Sequence, residues 1–231
     1  MIKAVLFDFY NTLASYYPPR EEVYINACRE LGINVQAKDL FSSLAIADIF
    51  YRNENSRSAI EKRAPEAQIN FYVEYIDKIV GGAGVHLSRD QALKILTRIK
   101  ECKWEFRVYT DSLPTLETLK KRGLTLGLIS NVAQDMEATY TKLGLQPYLN
   151  FKVTSAEVGY DKPRPEIFQA ALKKAKVKPK EALYVGDQYQ IDVVGARGVG
   201  IIALLIDRNN YFSEITDSPR IQTLAKITDY L

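Results

Sequence analysis

The feature that most limits what this chain can fold into is a set of short apolar runs, each breaking off at a polar residue. Residues 5–7, Val-Leu-Phe, run into Asp8, and the segment continues Phe-Tyr-Asn-Thr-Leu. Residues 124–129 run into Ser130-Asn131, residues 182–185 into Gly186-Asp187, and residues 200–206 into Asp207; a shorter run falls at 151–154. Continuous apolar runs of this length read as strands buried on both faces. Helical periodicity lies between them, at about 112–122, 133–143, 164–175 and 189–197. Strand–helix alternation predicts a Rossmann-like, doubly wound α/β domain built on a parallel sheet. Ligands bind such sheets in the crevice outside the strand C-termini, where Asp8 and Asp187 are predicted to stand.

Residues 17–104 have another character. Apolar positions recur at helical spacing through 20–31, 37–51, 57–79 and 88–103, with no strand run and with breaks at Gly32, Pro65 and the glycines of 81–84. The expected organisation is an α/β core, 1–16 plus 105–231, interrupted by an all-helical insert, 17–104. Tyr16-Tyr17-Pro18-Pro19 forms a stiff entry to the insert, and Trp104 and Phe106 are expected to anchor the return rather than bind substrate.

The bulk composition excludes several classes. Net charge is +3 over 231 residues, with no basic stripe interleaved with aromatics, so a nucleic-acid partner is not expected. No apolar stretch is long enough to span a membrane, and no secretory leader is legible, so a cytoplasmic location is expected. Cys28 and Cys102 form no metal pattern, and a disulfide between them is unsupported. A single histidine, His86, removes any mechanism that needs two, and its Gly-rich setting argues against a catalytic role. The sequence carries no signature of an oligomeric state.

Four segments then fall at strand ends or helix starts: Asp8-Phe-Tyr-Asn-Thr12, Ser130-Asn131, Lys162-Pro-Arg-Pro-Glu-Ile-Phe168, and Gly186-Asp187-Gln-Tyr-Gln-Ile-Asp192. In this order, with a helical insert after the first, they resemble the haloacid dehalogenase superfamily of hydrolases and its class I helical cap. The resemblance implies that Asp8 is the nucleophile, forming a covalent aspartyl intermediate. It implies that Ser130, with Asn131 beside it, contacts the transferring group, that Thr12 fixes the loop, and that Lys162 neutralises Asp8. It also implies that Asp8, Asp187, Asp192 and the main-chain carbonyl of Tyr10 hold Mg²⁺. A cap closing over the site would exclude water and confine the substrate to small molecules.

One departure divides the readings. Phosphatases of this family carry a second aspartate two residues after the nucleophile; here that position is Tyr10, as in the 2-haloacid dehalogenase branch, which uses no metal. The fourth segment points the other way, because Gly-Asp-x4-Asp is the phosphatase pattern. Asp8, Asp187 and Asp192 total −3 and Lys162 offsets one. At ~4 Å each pair interacts by about 4 kcal/mol at an effective dielectric of 20. The remaining −2 would repel a haloacid carboxylate, whereas a divalent cation cancels it and creates a phosphate site. The expectation is a Mg²⁺-dependent phosphatase of a small phosphorylated metabolite, with a metal-independent 2-haloacid dehalogenase as the alternative. Arg52, Asn53, Asn55, Arg57 and Arg63 form a basic cluster in the insert, read as a solvated face before a substrate contact.

Overall fold

A computed structural model of the chain describes residues 1–132 and 136–231. They form two compact units, one of Met1–Ser15 with Phe106–Leu231, the other of Tyr16–Glu105. In chain order, β1 (Ala4–Phe7) is followed by β2 (Ala14–Tyr17), then α1 (Arg20–Glu30), α2 (Ala37–Arg57), α3 (Pro65–Gly82) and α4 (Arg89–Glu101). The chain continues through β3 (Glu105–Val108), α5 (Ser112–Lys121), β4 (Thr125–Ser130), α6 (Glu137–Lys142), β5 (Phe151–Thr154), α7 (Ser155–Val158) and α8 (Pro165–Ala175). It ends with β6 (Ala182–Gly186), α9 (Val194–Gly198), β7 (Ile202–Ile206) and β8 (Arg220–Ile221).

In the first unit, six strands lie in the order β5-β4-β1-β6-β7-β8, and every neighbouring pair is parallel. The two faces of β1 sort by period two. Val5 and Phe7 enter one core with Leu128, Val185, Leu204 and the α5 residues Leu116 and Leu119. Leu6 enters the other with Ile129, Tyr184, Leu205 and the α8 residues Ile167, Phe168 and Ala171. Helices therefore cover both faces, which is why these strands read as unbroken apolar runs. Each fully buried Val, Leu or Phe contributes about 1.5–3 kcal/mol. Gly127 in β4 leaves room for the Phe151 ring, which an added Cβ would meet at 2.4 Å. The chain turns to opposite sides of β1, first to β4 and later to β6, so the crevice at the C-terminal end of β1 is the switch point of this sheet.

The second unit packs α1–α4 around Tyr24, Cys28, Leu40, Leu44, Ile76, Ile79, Ile95 and their neighbours. Here two boundaries move. The helix expected over 37–51 runs on to Arg57, and the one expected over 57–79 starts at Pro65. Proline supplies no N–H and so opens a helix well, while Glu54 extends the preceding one by pairing with Arg57. Between them the Asn55 side chain accepts the Ile60 N–H, and a 3₁₀ turn spans Ile60–Lys62. Arg63 bonds the Glu54 carboxylate and the carbonyls of Glu54 and Ser58. Arg57 and Arg63 of the basic cluster thus hold the end of α2. α4 opens on a capping box between Ser88 and Gln91.

Other expectations are met or shifted. The segment expected as a helix over 133–143 begins in residues outside those described, and α6 occupies Glu137–Lys142. Over 189–197 the chain makes a π-type turn, Tyr189–Val193, before α9. β2 and β3, neither of them an expected strand, pair with each other. Phe106 packs on Phe9, and Trp104 on Tyr16. Both cysteines are free thiols, and His86 is exposed. No helix among the described residues is long and apolar enough to cross a membrane.

Candidate active site

Asp8 stands one residue past β1, where its N–H still donates to the Val185 carbonyl at 2.9 Å. The chain then turns sharply. Phe9 is buried against Tyr140 and Phe106, its carbonyl accepts the N–H groups of Leu13 and Ala14, and Asn11 takes a left-handed φ of 59°. Tyr10 packs partly on the same core. Alternation along the strand direction sends Phe9 inward and leaves the Asp8 carboxylate at the sheet's end.

Lys162 reaches this carboxylate from the loop before α8. Its ammonium donates to Asp8 Oδ1 at 2.6 Å, Asp192 Oδ1 at 2.7 Å and the Tyr184 hydroxyl at 3.0 Å. The loop is held by Asn131: the Lys162 N–H donates to Asn131 Oδ1 at 2.7 Å, and Asn131 Nδ2 donates to the Lys162 carbonyl at 3.1 Å. Asn131, expected beside the transferring group, thus has its side-chain amide committed to the main chain of Lys162. Ser130 is buried at the end of β4. Asp192 is carried by the π-type turn. It accepts the Tyr184 hydroxyl at 2.7 Å on Oδ1 and the Gln188 N–H at 3.0 Å on Oδ2. Only glycine fits at 186, because a Cβ there would lie 2.4 Å from Asp192 Cγ.

Asp8, Asp187 and Asp192 offer carboxylate oxygens that all lie within 4.8 Å of one another. All three are buried, and Lys162 forms ion pairs with Asp8 and Asp192. Burial, offset in part by Lys162, pushes the Asp8 carboxyl up to about 6. Burial and then the charges of Asp8 and Asp192 raise Asp187 well above the usual carboxylate range. The Asn11 side chain pulls the other way without reaching hydrogen-bond geometry: neither Asp187 oxygen has a hydrogen-bond partner among the described residues. Burial works to lower the Lys162 ammonium, but Asp192 and Asp8 outweigh it and raise the group above its ordinary value.

A buried carboxylate without a donor is costly, and two more beside it add repulsion. The donor set is all oxygen and carries excess negative charge, which suits a hard divalent cation. The residues therefore fit Mg²⁺. The Thr12 hydroxyl is buried without a partner among the described residues, and it is the Thr12 carbonyl that is tied down, by Arg208. Tyr184 was missed from sequence. It looks like an ordinary apolar-strand residue, yet a buried tyrosine hydroxyl usually finds a partner, and this one joins Lys162 to Asp192.

A parallel sheet with an acid at its switch point, a lysine salt-bridged to it and two further acids at the next strand end define a hydrolase-type α/β site. The chain belongs to the haloacid dehalogenase-like hydrolases, whose family model matches residues 2–200. It is 29% identical over 218 residues to a glyceraldehyde 3-phosphate phosphatase of Methanopyrus kandleri, covering 91% of this chain and 86% of that one. Among solved structures, a phosphatase of the same superfamily from Thermococcus onnurineus is 26% identical with a TM-score of 0.58, covering 99% and 97% of the two chains. A 2-haloacid dehalogenase from Pseudomonas syringae shares the fold at 22% identity and a TM-score of 0.56, covering 99% and 97%.

Proposed function

We propose that this hydrolase is a Mg²⁺-dependent phosphomonoesterase of a small phosphorylated metabolite of the sugar- or triose-phosphate type. The observation that carries the reading is Asp187, whose buried and undonated carboxylate lies beside two other aspartates. A metal-independent dehalogenase must bring a haloacid carboxylate to this centre, against the repulsion of that charge. The name of the Methanopyrus relative supports a triose phosphate.

Asp8, Asp187 and Asp192, with the Tyr10 carbonyl, would hold the ion. When bound, Mg²⁺ neutralises charge on the transferring phosphoryl oxygens. The chain's own residues do the rest. Asp8 attacks phosphorus, the bond to the leaving alcohol oxygen breaks, and an aspartyl phosphate forms. Lys162 holds the attacking carboxylate in place and stabilises the charge that develops on it and on the phosphoryl group. Asp192 and Tyr184 fix the ammonium. Water then attacks the phosphorus of the intermediate, which releases inorganic phosphate and restores Asp8. A phenol at position 10 is a weaker proton donor than the carboxylic acid it replaces, so the leaving alkoxide draws its proton from water. We read the helical unit inserted after β1 as a cap, from its place in the chain.

The test is hydrolysis of an aryl phosphate and of 2-chloropropionate, each with Mg²⁺ and with EDTA. Phosphate release abolished by EDTA is the expected result; halide release indifferent to EDTA overturns it in favour of the dehalogenase, to which Tyr10 points.

A further inference from the structure

Beyond residue 200, where the family match ends, the chain sends one side chain back to the first loop. Arg208 Nη2 donates to the Thr12 carbonyl at 2.7 Å, across 196 positions of sequence. The same guanidinium forks onto Asp111, Nη1 to Oδ2 at 2.9 Å and Nη2 to Oδ1 at 3.1 Å, and lies 3.8 Å from the Tyr109 ring centroid. Asp111 precedes α5 but caps nothing in it. Its Oδ2 instead accepts the Thr223 hydroxyl at 2.7 Å and the Leu224 N–H at 2.8 Å. Next to Thr12, the Leu13 carbonyl accepts the Tyr109 N–H at 3.1 Å and the Ser112 hydroxyl at 2.7 Å. The descending limb of the Asp8 loop is thus held from residues 109–112 and from Arg208.

We propose that Arg208 is a positioning residue for the nucleophile: its guanidinium, oriented by Asp111, fixes the Thr12 carbonyl and through the tight 9–14 turn fixes Asp8. This rests on the reading of Asp8 as the attacking group. The bonding pattern argues for placement over bulk stability. Arg208 Nε is buried without a partner, a loss that a group selected for satisfied hydrogen bonds would avoid. A planar fork can meet both Asp111 oxygens and a carbonyl together; a lysine ammonium at this position cannot match that geometry. Displacing a reacting group by about 1 Å costs on the order of a hundredfold in rate.

The experiment compares the wild type with Arg208→Lys, Arg208→Ala and Thr223→Ala, the last removing one bond from the same network without touching the Thr12 carbonyl. With Mg²⁺ and an aryl phosphate, both Arg208 variants should lose about ten- to a hundredfold in kcat with KM within about twofold, by the same positional argument. Thr223→Ala should keep its kcat. Amide exchange at Leu13 and Ala14 should quicken in the Arg208 variants and not in Thr223→Ala. A folded Arg208→Lys with wild-type kcat and unchanged exchange at these amides overturns the proposal. So does Thr223→Ala losing as much kcat as Arg208→Ala at a matched fall in melting temperature. If Arg208→Ala does not fold, Arg208→Lys decides on the same criteria. Should the wild type hydrolyse no phosphate ester, the proposed function fails on its own, and the exchange rates still decide whether Arg208 braces the loop.

Discussion

Replacing Asp187 by asparagine should make the metal-free protein more stable and leave it indifferent to magnesium. One oxygen from each of Asp187, Asp8 and Asp192 lies within 4.8 Å of the other two. At an effective dielectric of 20, one like-charge pair at that outer limit costs about 3.5 kcal/mol. Asp187 faces two such pairs, and Lys162 offsets roughly one. About 3.5 kcal/mol of net repulsion remains if the group is ionised, and protonation relieves part of it because burial and its two neighbours raise the Asp187 carboxyl. An asparagine of the same shape removes the charge and adds an amide donor toward Asp8 and Asp192. The expected gain in EDTA is about 1–3 kcal/mol, or a rise in melting temperature of roughly 2–12 °C for a protein of this size. Wild-type protein should instead gain with added Mg²⁺, by about 2.7 kcal/mol at a hundredfold excess over Kd, and the variant should gain almost nothing. Scanning calorimetry in EDTA and across a magnesium titration reads both effects. A variant that melts at or below the wild type in EDTA, or that shifts with magnesium as the wild type does, refutes the electrostatic reasoning.

Lys162→Met removes the cation shared by Asp8 and Asp192 at 2.6 and 2.7 Å; it should cost about 3–5 kcal/mol of stability and reduce aryl phosphate hydrolysis to background, and retained turnover would remove Lys162 from the machinery. Tyr10→Asp supplies a titratable acid two residues after Asp8 and should speed hydrolysis of alkyl phosphates by about tenfold, at the low end of general acid–base effects, with little change for aryl esters whose leaving groups need no proton; unchanged or slower alkyl turnover shows that proton transfer at this position is not limiting. In the helical unit, burial pushes the Asp48 carboxyl up, but the bidentate Arg20 at 2.7 and 2.9 Å and the Tyr75 hydroxyl outweigh it and hold the group below its ordinary range. That stabilisation is complete above the unfolded value of about 3.9 and is lost as pH falls through the lower folded value. Urea unfolding followed from pH 7 to pH 2 should therefore show a steeper acid loss in the wild type than in Asp48→Asn, and parallel curves would contradict the assignment.

Much of the centre is legible in the sequence because parallel strands announce themselves. Residues 5–7, 126–129, 182–185 and 203–206 are buried on both faces, so these stretches show no polar alternation, and Asp8, Ser130 and Asp187 stand at three of their ends. β8 and the β2–β3 pair escape the same reading: two residues, or four with mixed exposure, are too few to form a pattern. Tyr184 escapes because its hydroxyl does its work inside a strand whose other residues are only core. Arg208 and Asp111 escape for a different reason. Each is a common surface residue type, and nothing local joins positions 97 apart. The end of α2 was misjudged because residues 52–57 are polar and carry no apolar stripe, while the pairing that extends the helix uses Glu54.

The position of β1 in the middle of the sheet also bears on how the protein is made. Its partners β4 and β6 start at residues 125 and 182, so on the ribosome the first strand emerges long before anything can pair with it. The helical unit, one continuous stretch of chain, can collapse in that interval. The loop that bears Asp8 acquires its Arg208 clamp only when Arg208 itself, 196 positions after Thr12, has been translated. A nascent chain stalled short of that point should bear the Asp8 carboxylate without the contact proposed to aim it.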